Sequence, residues 1–195
     1  MDVKRLLRGV MAFAIAASVV VLAGATTLIR ESLDELVRSN RTIVVGEVVD
    51  VHSYWNADGT FILTDVRVAT HDVLKGKSQD RELTLTLMGG RVGETTTLII
   101  GNAELIPGNS YVLFLNEEDL PGVKALTVRS LVQGAFDIKM GKDGLRAISQ
   151  ANGHPLLSDG RSFEAEGGRE GFQLNSMMQT IREIVGNTGA RREVK

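Results

Sequence analysis

The sequence predicts a mainly β protein: an antiparallel barrel with a short helix before it and a longer helix after it. Three observations carry this prediction. Two long strand-like runs are joined by a turn at Asp58-Gly59. Shorter β-rich runs follow, separated by brief polar turns. Apolar residues recur at helical spacing only just before the first strand and near the C-terminus. Six or seven strands in this arrangement point to a closed or nearly closed antiparallel barrel.

Taken in order, the chain opens with MDVKRLLR, which carries Lys4, Arg5 and Arg8. Gly9 to Ile29 has no charge, and Val10 to Ala23 is densely apolar. Ala23-Gly24-Ala25 then places small residues where a signal peptidase reads. Residues 1–25 thus have the layout of a secretory signal peptide, cleaved after Ala25. The alternative is an uncleaved anchor, because the uncharged stretch reaches the roughly 20 residues a spanning helix needs, and its basic start would stay in the cytoplasm. The Ala and Gly content and the Thr26-Thr27 pair favour cleavage. Both alternatives put the rest of the chain outside the cytoplasm, secreted or periplasmic.

Residues 26–140 form the expected barrel domain. Ser32 followed by Glu35 is a capping box, and Leu33, Leu36 and Val37 make one apolar stripe, so Leu33 to Arg38 reads as a short helix. Thr42 to Trp55 is a long strand with apolar odd positions: Ile43, Val45, Val49, Val51 and Trp55. Phe61 to Leu74 is a second, with apolar even positions: Ile62, Val66, Val68 and Leu74. Merging the two apolar faces pairs Trp55 with Ile62, Val51 with Val66 and Val49 with Val68, around a loop from Ala57 to Thr60. The other face then pairs His52 with Asp65 and Asp50 with Arg67. Lys75 to Ser78 closes the second strand. Further strands are expected at Glu82 to Met88, Thr95 to Ile100, Tyr111 to Leu115, Ala125 to Val128 and Ala135 to Ile138.

Residues 141–195 are expected to hold a flexible loop and a C-terminal helix. Gly141 to Gly171 is glycine-rich, charged and aperiodic. Leu174, Met177, Met178, Ile181, Ile184 and Val185 repeat at helical spacing, and Gly186-Asn187 is expected to stop that helix. There is no internal repeat.

Composition narrows the function classes. Removing residues 1–25 takes away Lys4, Arg5, Arg8 and Asp2, so 22 basic and 24 acidic residues become 19 and 23, a formal charge of −4. That mild balance offers no electrostatic reason for nucleic acid or an anionic membrane as partner. The chain has no cysteine, which removes thiol nucleophiles, thiolate metal sites and lipoprotein attachment. An exported domain of this size buries enough core to do without disulfides.

Each candidate chemistry has a plainer explanation. His52 with Asp65 is two-thirds of a hydrolase triad, but Ser53 points to the opposite face of its strand. His52 and His71 stand some six residues apart in this register, about 20 Å at strand rise, and His154 falls in the aperiodic segment, so no shared zinc site is expected. Gly89-Gly90-Arg91-Val92-Gly93 lacks the helix that follows a phosphate loop and reads as a connection or bulge, from which Arg91 is free to meet a partner's carboxylate. Glu117-Glu118 and Glu164/Glu166 read as solvated loop acids, Lys142-Asp143-Gly144 as a turn, and Met177-Met178 as core. No catalytic residue, metal or cofactor is expected.

The runs SLDELVRSNRTIVVGEVVDVHSYW, TDVRVATHDVLKGK and GNSYVLFL resemble, in order and spacing, the N-terminal OB-fold domain of tissue inhibitors of metalloproteinases and the related netrin-type modules. They are also similar to a group of uncharacterised bacterial secreted proteins with this layout. The resemblance covers residues 32–138 and implies an OB-like barrel, with a protease as the first partner to suspect. It departs in one respect. The inhibitors chelate the protease's zinc through an N-terminal cysteine held by a disulfide. Here Thr26 would be the free N-terminus, with nothing covalent to pin it. The expectation is therefore an exported, non-catalytic protein-binding module using Thr26, Trp55 and Arg91. The alternatives are an unrecognised extracytoplasmic hydrolase and a membrane-tethered structural protein of the envelope.

Overall fold

The computed structural model describes residues 30–77, 80–152 and 170–193. The signal segment, Thr26, His154 and the Glu164/Glu166 pair lie outside the described residues.

Helix α1, Leu33–Ser39, starts at the expected capping box. Ser32 Oγ accepts from the Glu35 N–H at 3.3 Å, and the Glu35 carboxylate accepts from the Ser32 N–H at 2.7 Å. It ends where Asn40 turns extended and its side-chain amide donates to the Leu36 carbonyl at 2.8 Å. Leu33, Leu36 and Val37 are buried.

Strands β1, Thr42–Trp55, and β2, Ile62–Lys75, form the long hairpin. Asn56 closes its loop. The Asn56 Oδ1 accepts from the Thr60 and Phe61 N–H groups at 2.9 and 3.0 Å, and Gly59 takes φ 63°. The pairs Trp55–Ile62, His52–Asp65, Val51–Val66 and Asp50–Arg67 stand as expected, but Val68 pairs with Val48. Val49 is the extra residue of a β-bulge, 42% exposed. A bulge lets a strand this long bend, and it moves the alternation from one face to the other. Val44, Val48 and Val51 therefore point into the barrel, while Ile43 and Val45 point to the outer face.

The remaining strands are β3 Glu82–Met88, β4 Gly90–Val92, β5 Thr95–Thr97, β6 Ser110–Leu120, β7 Val123–Val128, β8 Ala135–Gly141, β9 Gly144–Ser149 and β10 Phe172–Gln173. The large sheet runs β10-β9-β8-β6-β1-β2-β3, with β7 also on β6, and β4-β5 is a separate ribbon. β6 is shared. Its first half pairs with β8 and its second half with β7 on the same edge, while β1 takes the other edge. The path β3-β2-β1-β6-β7 curls around one core, and β3 and β7 meet through Leu83, Leu85, Leu126 and Val128. No ladder joins β3 to β7 among the described residues. The fold is thus mainly β and OB-like, as expected, and of the two expected forms, closed or nearly closed, the sheet is not the closed one.

A second core covers the outer face. Helix α2, Leu174–Glu193, packs Leu174, Met177 and Ile181 with Leu33, Leu36, Val37 and the sheet residues Ile43, Val112, Phe114 and Phe136. α2 does not stop at Gly186-Asn187. Gly186 stays out of the left-handed region, so the helix absorbs its roughly 1 kcal/mol propensity cost. The aperiodic reading of residues 141–171 also needs correction. Gly144–Ser149 is a strand whose register is supplied by β8, with Met140 opposite Leu145 and Ile138 opposite Ala147.

Candidate functional site

Trp55 stands on the same face of β1 as Val51 and Ser53, by strand alternation. It was expected to turn inward, yet it is 40% exposed. Trp55 is the last residue of β1, at the loop end of the hairpin and beyond the inner-core residues of that strand, so this end of the barrel is its mouth. Three connections surround this mouth. The β1–β2 loop is tied to the β6–β7 turn by the Asn56 side-chain amide, which donates to the Pro121 carbonyl at 3.4 Å. The β4–β5 ribbon folds over the inner face, where a Cβ on Gly90 would stand 2.2 Å from Thr64 Oγ1 and 2.5 Å from Ser53 Oγ. Only glycine fits there, and its φ of 129° favours glycine as well. Val123, beside the β6–β7 turn, is a further exposed apolar side chain at this end.

Arg91 sits on β4, exposed, opposite Thr96, and its Nε donates to the Gly93 carbonyl at 3.0 Å. The structure therefore brings the Arg91 ribbon and Trp55 to one end of the barrel. The described chain enters elsewhere. The Glu31 N–H donates to Gln133 Oε1 at 2.9 Å, and the Glu31 carboxylate accepts from Ser130 Oγ, at the opposite end of β7 from its turn.

His52 is exposed and stacks on Tyr54 with ring centroids 6.2 Å apart. It was expected to be partnered by Asp65. Instead the Asp65 Oδ1 accepts from the Tyr54 hydroxyl at 3.1 Å and from Thr86 Oγ1 at 2.7 Å. Burial and the neighbouring Asp65 push the Tyr54 hydroxyl pKa up. Ser53 lies on the other face, hydrogen-bonded to Thr64 Oγ1 at 2.8 Å, so His52, Asp65 and Ser53 do not converge. Among the described residues no cluster of His, Asp and Glu is arranged to hold a metal. Gly89 to Gly93 leads into a ribbon and not a helix. Glu117 and Glu118, expected in a loop, lie within β6, where Lys124 reaches Glu117 at 3.7 Å.

One polar cleft was not foreseen. About 520 Å³ of space lies between the 102–109 segment and the β8–β9 pair. Its groups are largely committed to one another. The Asp137 carboxylate takes Lys139 at 2.9 Å and the Gln150 amide at 2.7 Å. Gln150 also exchanges hydrogen bonds with the Glu104 backbone, and the Tyr111 hydroxyl accepts from the Ile106 N–H. The bond to Asp137 holds the Lys139 ammonium above its usual range. This arrangement fastens a loop to the sheet. It leaves the Glu104 carboxylate without a hydrogen-bond partner among the described residues, and one acid is not an acid–base pair. Nothing in the residue pattern signalled this cleft, because its members are spread over 50 positions.

No protein-family model matches the chain, and no curated protein does. Among the described residues no helix is long and apolar enough to cross a membrane.

Proposed function

We propose that this chain is an exported binding module whose partner is another protein, engaged at the open mouth of the barrel. The observation that carries the reading is Trp55. A large aromatic side chain, part exposed, stands among three connections that include an exposed arginine and an exposed valine. Tryptophan and arginine are the residue types that most often dominate protein–protein binding energy. The committed hydrogen bonds around Asp65 and Asp137 leave less support for a hydrolase. A secreted protease is the first partner to test. That choice rests on the resemblance of residues 32–138 to metalloproteinase inhibitors and on nothing in the mouth itself. The inhibitors' N-terminal chelation has no counterpart in a chain that lacks cysteine.

The test is capture of partners from the source cell's envelope and medium, using the chain expressed with its own leader and a C-terminal tag. Mass spectrometry reads the captured proteins and the bait's first residue. The proposal expects one enriched protein, a bait beginning at Thr26, and loss of the enriched protein with Trp55→Ala. An affinity loss of about thirtyfold corresponds to the roughly 2 kcal/mol of an anchor residue. A bait beginning at Met1 that brings down only general envelope proteins overturns the reading in favour of a tethered role.

A further inference from the structure

One cleft carries charge of a single sign. About 650 Å³ of space lies where the end of α1, the residue before β1, the end of β2 and α2 meet. Its ionisable side chains are Arg38, Arg41 and Lys75, and no acid lines it. The polar cleft beside β8 and β9 instead mixes Glu104 and Asp137 with Lys139. The whole chain has a formal charge of −2, so composition does not account for this grouping. The fold does. Lys75 ends β2 opposite Ile43. The backbones cross there so tightly that a Cβ on Gly76 would stand 3.2 Å from the Arg41 carbonyl oxygen. The Arg41 N–H is fixed in turn, donating to the buried Asn116 side chain at 2.8 Å.

The three cations are held differently. Arg38 gives Nε and Nη2 to the Asp34 carboxylate at 2.6 and 2.9 Å, and its Nη1 reaches Thr188 Oγ1 at 3.3 Å. Lys75 Nζ donates to the Val37 and Arg38 carbonyls, which hold it at the negative end of α1. The Arg41 guanidinium is exposed and makes no hydrogen bond or ion pair among the described residues. Neighbouring acids have other partners. Glu31 accepts from the Ser39 and Ser130 hydroxyls, Asp72 pairs with Arg182, and Glu117 pairs with Lys124.

We infer that this cleft binds a phosphate monoester, with Arg41 as its principal contact. A cleft walled by one sign of charge concentrates ligands of the other. The guanidinium fork of Arg41 matches two oxygens of an oxyanion. The cations stand on three separate elements, and a phosphate presents three oxygens in three directions, whereas a carboxylate presents two in one plane. The space falls within the roughly 300–1,000 Å³ of small-molecule sites, larger than a lone ion needs, and Val185 gives it an apolar wall for the organic part. The inference is independent of the mouth around Trp55, which lies at the opposite end of the β1–β2 hairpin.

The test is calorimetric titration of the chain purified after export, with phenyl phosphate as probe and benzoate as its carboxylate counterpart. Phenyl phosphate should bind saturably at one site, at least tenfold more tightly than benzoate, and more weakly as salt rises. Arg41→Ala should weaken it at least tenfold while leaving the melting temperature in place, because that side chain supports nothing in the fold. Lys142→Ala removes an exposed cation outside the cleft and should change nothing. Cosedimentation with phosphatidic acid vesicles that Arg41→Ala abolishes would support the site with a lipid headgroup as the source. Phenyl phosphate binding without cosedimentation would support it with a soluble ester. Absence of saturable binding, benzoate bound as tightly as phenyl phosphate, or equal losses with Arg41→Ala and Lys142→Ala would each overturn the inference.

Discussion

At Gly46 the backbones of β1 and β2 run so close that a Cβ would stand 2.6 Å from the Ala69 carbonyl oxygen and 2.6 Å from Val68 Cγ1. Gly46→Ala is therefore expected to force the strands apart and to destabilise the protein by about 1–3 kcal/mol, read as a lower urea midpoint at unchanged slope. Two exposed carboxylates tie α1 to pH. The Arg38 hydrogen bond holds Asp34 below the usual carboxylate range, and the Ser32 backbone and hydroxyl do the same for Glu35. A lowered folded-state value adds stability that is present above the ordinary carboxylate pKa, near 4, and is lost as pH falls through the lowered values. Glu35→Gln should flatten the acid limb of a plot of melting temperature against pH. Tyr54 works in the other direction. Its raised value gives stability present below the ordinary tyrosine pKa, near 10, and lost as pH rises through the raised one. Tyr54→Phe should remove that alkaline loss, and an unchanged alkaline limb would contradict the assignment.

At the level of elements, the bulge at Val49 decides which face each half of β1 buries. Deleting Val49 would make β1 regular and send either Val44 and Val48 or Val51 to the wrong face, so the deletion should abolish cooperative unfolding. α2 offers two opposite predictions. Ile181 is fully buried against the sheet, and Ile181→Ala should cost about 2–5 kcal/mol. Gly186 is helical with nothing within 4 Å of an added Cβ, and Gly186→Ala should stabilise by up to about 1 kcal/mol. Chemical denaturation measures both.

For the whole molecule, the OB-like sheet is not closed: β3 and β7 meet without a ladder, and Trp55 stands 40% exposed at the loop end of β1. The chain's only tryptophan therefore reports on the mouth. Trp55 emission should be quenched readily by iodide in the free chain. A partner bound at the mouth should protect it and shift its emission to the blue. A captured partner that leaves Trp55 emission unmoved would place binding elsewhere.

The sequence by itself determined the local choices. The capping box at Ser32 and Glu35, the Asp58-Gly59 turn, the alternation of β2 as far as Val68 and of β3, and the helical stripe from Leu174 to Val185 each depend on residues a few positions apart. So does the pairing of Trp55 with Ile62 and of His52 with Asp65, since a short loop leaves one register that merges the apolar faces. Leu74, expected on the face of Val66 and Val68, joins the outer core instead, because two further register shifts offset the end of β2 against β1. What only the tertiary structure decided depends on distant neighbours. Val49 became a bulge because β1 serves β2 and β6 while bending around one core. Gly144–Ser149 became a strand because β8 offered it an edge. Asp65 bonded Tyr54 and Thr86 in place of His52, because β3 brings the Thr86 hydroxyl beside it. Of the candidate surface, Trp55 and Arg91 were legible as residue types. The close packing of Gly90 on Ser53 and Thr64 that sets the Arg91 ribbon beside this end was not, nor was the exposure of Leu98 and Ile100. Alternation says which residues share a face, and only the packing of the whole chain says which faces remain uncovered.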